Sequence, residues 1–310
     1  IDGDLFYDGD INKWKKFGGS LLLRIGMRLS EVAPDLAKQT VADAVTIGVM
    51  SQPEEICLLR HAGSGKNAFK NPLSFRYLDD NFIESDAVKI GKTFMDYLKK
   101  TKDPRIHVYC SLKDGNTEFD KQFGLPNGYD SHTIADAPSG SFVGLENTSN
   151  FNINTILRLD APTIFLMPSE TKLLLAEAVL RNWTNGNAEV LYKEAITSSM
   201  KEQEIAYGTQ GKITDEEIET RSHSRASPIA SAAFRQTIAG GCSCFNCFRL
   251  MICASIFHID SLIVGSDFSA LEKPGRKPPL DRIDRDVLFA HHVAICQFKQ
   301  HGEVREKTPV

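Results

Sequence analysis

The 310-residue chain lacks any apolar run long enough to cross a bilayer. Its most apolar stretch, Leu250 to Val264, is fifteen residues and is broken by His258 and Asp260. There is no basic excess. With a net charge of −4 the chain offers no clustered cationic face for phosphates, so nucleic acid is not an expected partner. Tryptophan occurs only twice, at Trp14 and Trp183. Catalytic signatures are missing as well: no G-x-S-x-G elbow and no H-E-x-x-H pair occurs, and His61, His107 and His132 stand singly.

What is present is the composition of an ordinary globular protein, 42 % hydrophobic and 25 % charged, in a chain able to bury roughly 75 % of its unfolded surface. The averages hide a seam. Up to Arg221 there are 25 Lys and Arg against 32 Asp and Glu; beyond it there are 11 against 8. Five of the seven cysteines (Cys242, Cys244, Cys247, Cys253, Cys296) and five of the eight histidines also lie beyond Arg221. We therefore divide the chain into residues 1–221 and a Cys/His-rich tail, 222–310. Cys57 and Cys110, the two thiols before the seam, neither require nor exclude a disulfide.

The first part reads as helices joined by long polar loops. From Asn12 to about Ser30, Trp14, Phe17, Leu21, Ile25 and Leu29 recur at helical spacing and predict one apolar face. Arg24 and Arg28, one turn apart, read as solvated or carboxylate-paired side chains. Pro34 suits the first turn of a second helix carrying Ala37, Val41, Ala44 and Val45, with Gly48 suited to end it. A short strand is expected at Ile56 to Leu59, and a third helix from about Ser85 to Thr101, stopped by Asp103-Pro104. Residues 110–154, dense in Gly, Asn, Asp, Ser and Pro, are too long for a mere connector, and long ordered loops tend to carry function. From Pro168 to about Ala206 one helix reaches Trp183, Thr184-Asn185-Gly186 reverses the chain, and a second helix returns. This hairpin is close to the roughly 34-residue tetratricopeptide unit, and one such unit needs neighbours to bury its face.

Three motifs fall short of chemistry. Gly63-Ser64-Gly65-Lys66 lacks the phosphate-loop glycine, where Arg60 stands, and the following Ser or Thr, where Asn67 stands. Asp2, Asp4, Asp8 and Asp10 alternate as Ca²⁺ ligands can, but the EF-hand glycine and terminal glutamate are missing, so acids before a helix start are expected. Cys242, Cys244, Cys247, Cys253 and His258 lack the paired C-x₂-C knuckles of common zinc folds, and no metal is assigned.

Four blocks carry a family resemblance: YDGDINKWKKFGGSLLLRIGMRLS (Tyr7 to Ser30), GLPNGYD (Gly124 to Asp130), DAPTIFLMPSETKLLLAEAVLRNW (Asp160 to Trp183) and AEVLYKEAITSSM (Ala188 to Met200). In this order they resemble the SusD/RagB-like nutrient-binding outer-membrane lipoproteins of Bacteroidetes, matching the middle-to-late part of that family over most of residues 1–221.

The resemblance implies a mostly α fold of tetratricopeptide-like hairpins with a long irregular ligand-binding insertion. It also implies capture of a glycan or other oligomeric nutrient without catalysis or cofactor, and delivery to a TonB-dependent transporter. The place is the extracellular face of the outer membrane, with an export signal and lipid-bearing cysteine expected before Ile1. Tyr129, with Asn127 beside it, is the expected ligand contact, and Trp14 and Trp183 are expected to pack. A helical-repeat scaffold that docks proteins is the alternative. The resemblance stops after Arg221, and residues 222–310 read as a shifted frame or misjoined gene with little stable fold expected.

Overall fold

Asp10 sets the start of the first helix. In the computed structural model, which describes residues 3–79, 89–129 and 133–224, its carboxylate accepts the amides of Asn12 and Lys13 at 2.9 and 3.1 Å, capping α1 (Ile11–Arg28). Pro34 opens α2 (Pro34–Ile47), and Gly48, at φ 97°, ends it. There follow β1 (Cys57–Leu59), α3 (Pro72–Asp79), α4 (Lys92–Lys100), α5 (Ile106–Tyr109), β2 (Cys110–Ser111), β3 (Asn150–Phe151), β4 (Thr163–Leu166), α6 (Pro168–Leu180), α7 (Ala188–Tyr207) and α8 (Asp215–Ser224). The chain is mostly α. Its described strands form only two small antiparallel pairs, β1 with β4 and β2 with β3.

Two helical hairpins, α1–α2 and α6–α7, stack through α1 and α6. Leu23, Met27, Val41, Ala44 and Ala178 are buried between them, with Leu174, Leu175 and Trp183 packed around. Another side of α7 seats the irregular part of the chain. There Ile196, Met200, Ala206 and Tyr207 join Phe94, Met95, Leu98, Val108, Phe151 and Leu157 in the largest apolar cluster. Tetratricopeptide-like hairpins with a long irregular insertion are the architecture expected, although the stretch between α4 and β4, residues 101–162, is longer than the 110–154 read from the sequence.

The packing face of α1 differs from expectation. Leu21 and Ile25 are exposed, and the buried positions are Gly19, Ser20, Leu23, Gly26 and Met27. The reason is close approach: a Cβ on Gly19 would lie 2.1 Å from the Gly48 carbonyl oxygen, and one on Gly26 would lie 3.1 Å from Thr40 Cβ. Trp14 and Phe17 pack instead with Phe6 and Tyr7, against Met50, Cys57 and Leu166. Helix α4 begins only at Lys92, after Gly91 as its cap, while residues 80–88 lie outside the described part. Helix α6 stops at Leu180, short of Trp183, because Asn182 takes a left-handed conformation (φ 57°). Its amide donates to the Val179 carbonyl at 3.0 Å and that of Trp183 to the Ala178 carbonyl at 2.9 Å.

A buried charge cluster fastens the insertion to the hairpins. Asp103, Arg105 and Arg221 are all within 3 % of full burial. Arg105 donates to both Asp103 oxygens (Nε 2.9 Å, Nη2 2.6 Å) and to Ser199 Oγ on α7 at 2.8 Å, and Arg221 on α8 reaches Asp103 Oδ2 at 3.3 Å. Burial by itself would raise the Asp103 pKa, but the two guanidiniums outweigh it and hold the carboxyl at about 2.

Candidate functional site

The sequence points first to the loop at Gly124–Tyr129. Leu125 ties it down by donating to the Ile90 carbonyl and accepting from the Lys92 amide, both at 2.7 Å. The Asn127 amide nitrogen donates to Thr93 Oγ1 at 2.9 Å. Gly124 and Gly91 permit this approach, since a Cβ on Gly124 would lie 2.4 Å from Lys92 Cα and one on Gly91 would lie 3.0 Å from Asn127 Oδ1. Tyr129 is half-buried at the end of the described segment. Asn127 is thus engaged with the start of α4, and Asp130 and His132 lie outside the described residues.

A second feature was not read from sequence. A cleft of about 250 Å³ lies where the end of β1, the 158–162 turn and the end of α7 meet, lined by Arg60, His61, Arg158, Asp160 and Tyr207 among others. Neither Tyr129 nor Asn127 lines it. The segments meet for local reasons. Arg60 Nη2 donates to the Ile205 carbonyl at 3.0 Å and Arg158 Nη1 to that of Tyr207 at 3.4 Å, so both guanidiniums sit on the carbonyl-rich, negative end of α7. Arg158 also grips Asp160, through Nε to Oδ1 at 2.8 Å and through a second bond from Nη2 to Oδ2, which lowers the Asp160 pKa. His61 Nε2 shares a hydrogen bond with Thr163 Oγ1 at 2.9 Å, and burial lowers its pKa, favouring the neutral ring.

The remaining sequence candidates are accounted for by packing. Asp4 is bound by the amides of Phe6 (3.0 Å) and Gly9 (2.8 Å) and by Trp14 Nε1 (2.7 Å), so it organises the chain before α1. Arg24 forms a two-pronged pair with Glu170 at 2.7 and 2.6 Å. The Arg181 guanidinium lies 5.2 Å over the Trp183 ring. Gly63 and Gly65 both take positive φ in a turn closed on the Phe69 carbonyl. Among the described residues no group of three His, Cys, Asp or Glu could hold a metal, and no helix is long and apolar enough to cross a membrane. The tail cysteines lie outside the described residues.

Stacked helical hairpins bearing a long irregular insertion, tied on by buried polar contacts, define the class to which this chain belongs. Residues 1–225 match a SusD-like family described as "Starch-binding associating with outer membrane", and the chain belongs to that family. It is similar in fold to a solved chitin-binding protein (22 % identity, TM-score 0.60, covering 96 % of this chain and 64 % of that one). A Bacteroidetes SusD-like structure resembles it equally (23 %, 0.61, 89 % and 63 %). A chitin-binding SusD homologue from Flavobacterium johnsoniae matches less of it (22 %, 0.52, 69 % and 39 %). The chain therefore spans less than two thirds of the length of these structures. Comparison with curated protein sequences gives no match.

Proposed function

We propose that the protein captures a glycan at the outer-membrane surface without transforming it and passes it to a TonB-dependent transporter. The observation that carries this is family membership across residues 1–225, in a family described by starch binding and outer-membrane association. Two solved structures of like fold are named chitin-binding, which supports a carbohydrate as the cargo class. In this reading residues 1–221 are the capture unit. The protein is held at the extracellular face by a lipid on a cysteine outside the present sequence.

The hairpins supply a rigid frame, and the insertion supplies contacts. Tyr129 offers a ring against which an apolar sugar face can stack, and Asn127 an amide whose Oδ1 can accept from a hydroxyl while its nitrogen stays on Thr93. Titration of the full chain with a panel of starch, chitin and plant-wall oligosaccharides, read by calorimetry, should give heat with at least one member. The bound oligosaccharide should be recovered intact. Tyr129→Ala should weaken that binding about tenfold, in line with the loss of one stacking ring. Absence of heat across the panel would contradict capture, and undiminished binding by Tyr129→Ala would remove that residue from the site.

A further inference from the structure

The side chains of the cleft at the end of α7 carry more positive than negative charge, two guanidiniums against one carboxylate and the partial negative charge of the helix end. That carboxylate, Asp160, is occupied by Arg158. Arg60, the other guanidinium, is exposed and has no carboxylate partner among the described residues; its hydrogen bond to the Ile205 carbonyl uses one Nη2–H and leaves unused the second Nη2–H, which lies parallel to one neighbouring N–H, together with the Nε–H and both Nη1–H groups. Arg60 is nevertheless not loose, because that bond anchors one edge of its plane. A fixed guanidinium edge with parallel N–H groups is the geometry that a carboxylate matches with two oxygens.

The loop next to this cleft bears an exposed aromatic ring, which is not itself part of the cleft lining. Phe69 is 54 % exposed, unusual for a phenylalanine, and its ring rests over the Gly65 turn. The loop that bears it is closed by the Ala62 and Gly63 amides on the Phe69 carbonyl, at 2.9 and 3.3 Å. Gly63 in turn lies against the cleft wall: a Cβ there would fall 2.7 Å from Asp160 Cβ. A volume of about 250 Å³ is below that of drug-sized pockets and suits a single ring-sized unit.

The geometry points to a subsite for one carboxylate-bearing sugar unit, a uronic acid, with Arg60 pairing its carboxylate and Phe69 stacking on its apolar ring face. This rests on the capture of glycan proposed above and names the chemical class of its cargo. A neutral sugar could occupy the same volume but would leave the Arg60 N–H groups with no anionic acceptor.

The test compares the full chain's affinity for oligogalacturonate with that for the same oligomer fully methyl-esterified, by calorimetry at low salt. The acid form should bind at least about tenfold more tightly, and added sodium chloride should erode the difference. Arg60→Gln, shown by its melting temperature to be folded, should lose about tenfold on the acid form and distinctly less on the ester, so that the acid preference shrinks, while Arg60→Lys should fall between. Equal affinity for acid and ester, or an Arg60→Gln variant that binds the acid form as the parent does, would overturn the subsite. If neutral oligosaccharides bind and the acid form gains nothing, glycan capture stands and the acidic subsite falls. If no oligosaccharide binds at all, both fall.

Discussion

Glu202 shows how much of this molecule's polar interior serves the frame. It sits fully buried on α7, where Oε1 accepts from the Ser169 amide at 2.8 Å and from Ser198 Oγ at 2.7 Å, and Oε2 meets Ser169 Oγ at 2.5 Å. It thereby satisfies one of the open amides in the first turn of α6 from the neighbouring helix. Burial pushes its pKa up to about 7 despite the pull of those serines. The native state therefore holds a proton that the unfolded chain, with an ordinary glutamate near 4.3, releases earlier. This contribution to stability is complete below about pH 4.3 and is lost as the pH rises through 7. We expect thermal stability to decline across that window, with a slope of at most about 1.4 kcal/mol per pH unit from this group. His61, whose protonation is disfavoured by burial, acts in the opposite sense near the top of the window. The difference between parent and Glu202→Gln melting curves isolates the carboxyl, and Glu202→Gln should flatten that part of the profile. Identical pH profiles for the two proteins would show that Glu202 does not bind the proton. None of this was legible in the sequence, because Ser169 and Glu202 are 33 residues apart and meet only once the hairpin has closed.

At the scale of elements, the sequence shows where helices run better than it shows which face they bury. Pro34, Gly48, Ala37, Val41 and Ala44 describe α2 correctly from punctuation and spacing alone, whereas Val45, read with them, is exposed. For α1 the large apolar side chains mislead, because the hairpin is built on near contact of backbones and the informative residues are Gly19 and Gly26, seven apart on one face. Their consequences differ from one another and from Gly18. A methyl at Gly19 would meet the Gly48 carbonyl at 2.1 Å, a backbone atom that cannot step aside; at Gly26 it meets the Thr40 side chain at 3.1 Å; at Gly18 it meets nothing within 4 Å. Helix propensity alone favours alanine by about 1 kcal/mol at each position. Gly18→Ala should therefore stabilise by up to about 1 kcal/mol, Gly26→Ala should stay within about 1 kcal/mol of the parent, and Gly19→Ala should destabilise by roughly 3 kcal/mol through overpacking. Urea unfolding of the three variants checks the order. A neutral Gly19→Ala would mean that the α1–α2 crossing can open without cost. The candidate surfaces are legible unevenly. The Gly124–Asp130 block marks a loop that the structure pins to α4, whereas the Arg60, Arg158 and Tyr207 cleft is assembled from three distant segments and leaves no local trace.

On the scale of the whole molecule the question is what makes hairpins and insertion one unit, and Asp103 supplies the answer. It lies beside Pro104, where the sequence shows only a helix stop, and it pairs with Arg221, 118 residues away, where the sequence shows only a change of composition. Through it the insertion (Arg105), α7 (Ser199) and α8 (Arg221) share one buried polar junction. Removing its charge and removing one of its partners are not equivalent. Asp103→Asn takes away the carboxylate between two buried guanidiniums and should cost about 3–5 kcal/mol, the usual consequence of leaving buried charge uncompensated. Arg221→Met leaves the Asp103–Arg105 pair intact with its two short hydrogen bonds, replaces a charge by an apolar chain of similar length, and should cost less than half as much. The double variant should lose less than the sum of the singles, since the two side chains share one junction. Hydrogen exchange should show α8 losing protection first in both variants, because Arg221 is its buried anchor. Equal costs for the two single variants, or strict additivity in the double, would mean that the charge on Asp103 does not hold the layers together, and that apolar packing around Met200 and Leu157 is sufficient to join them.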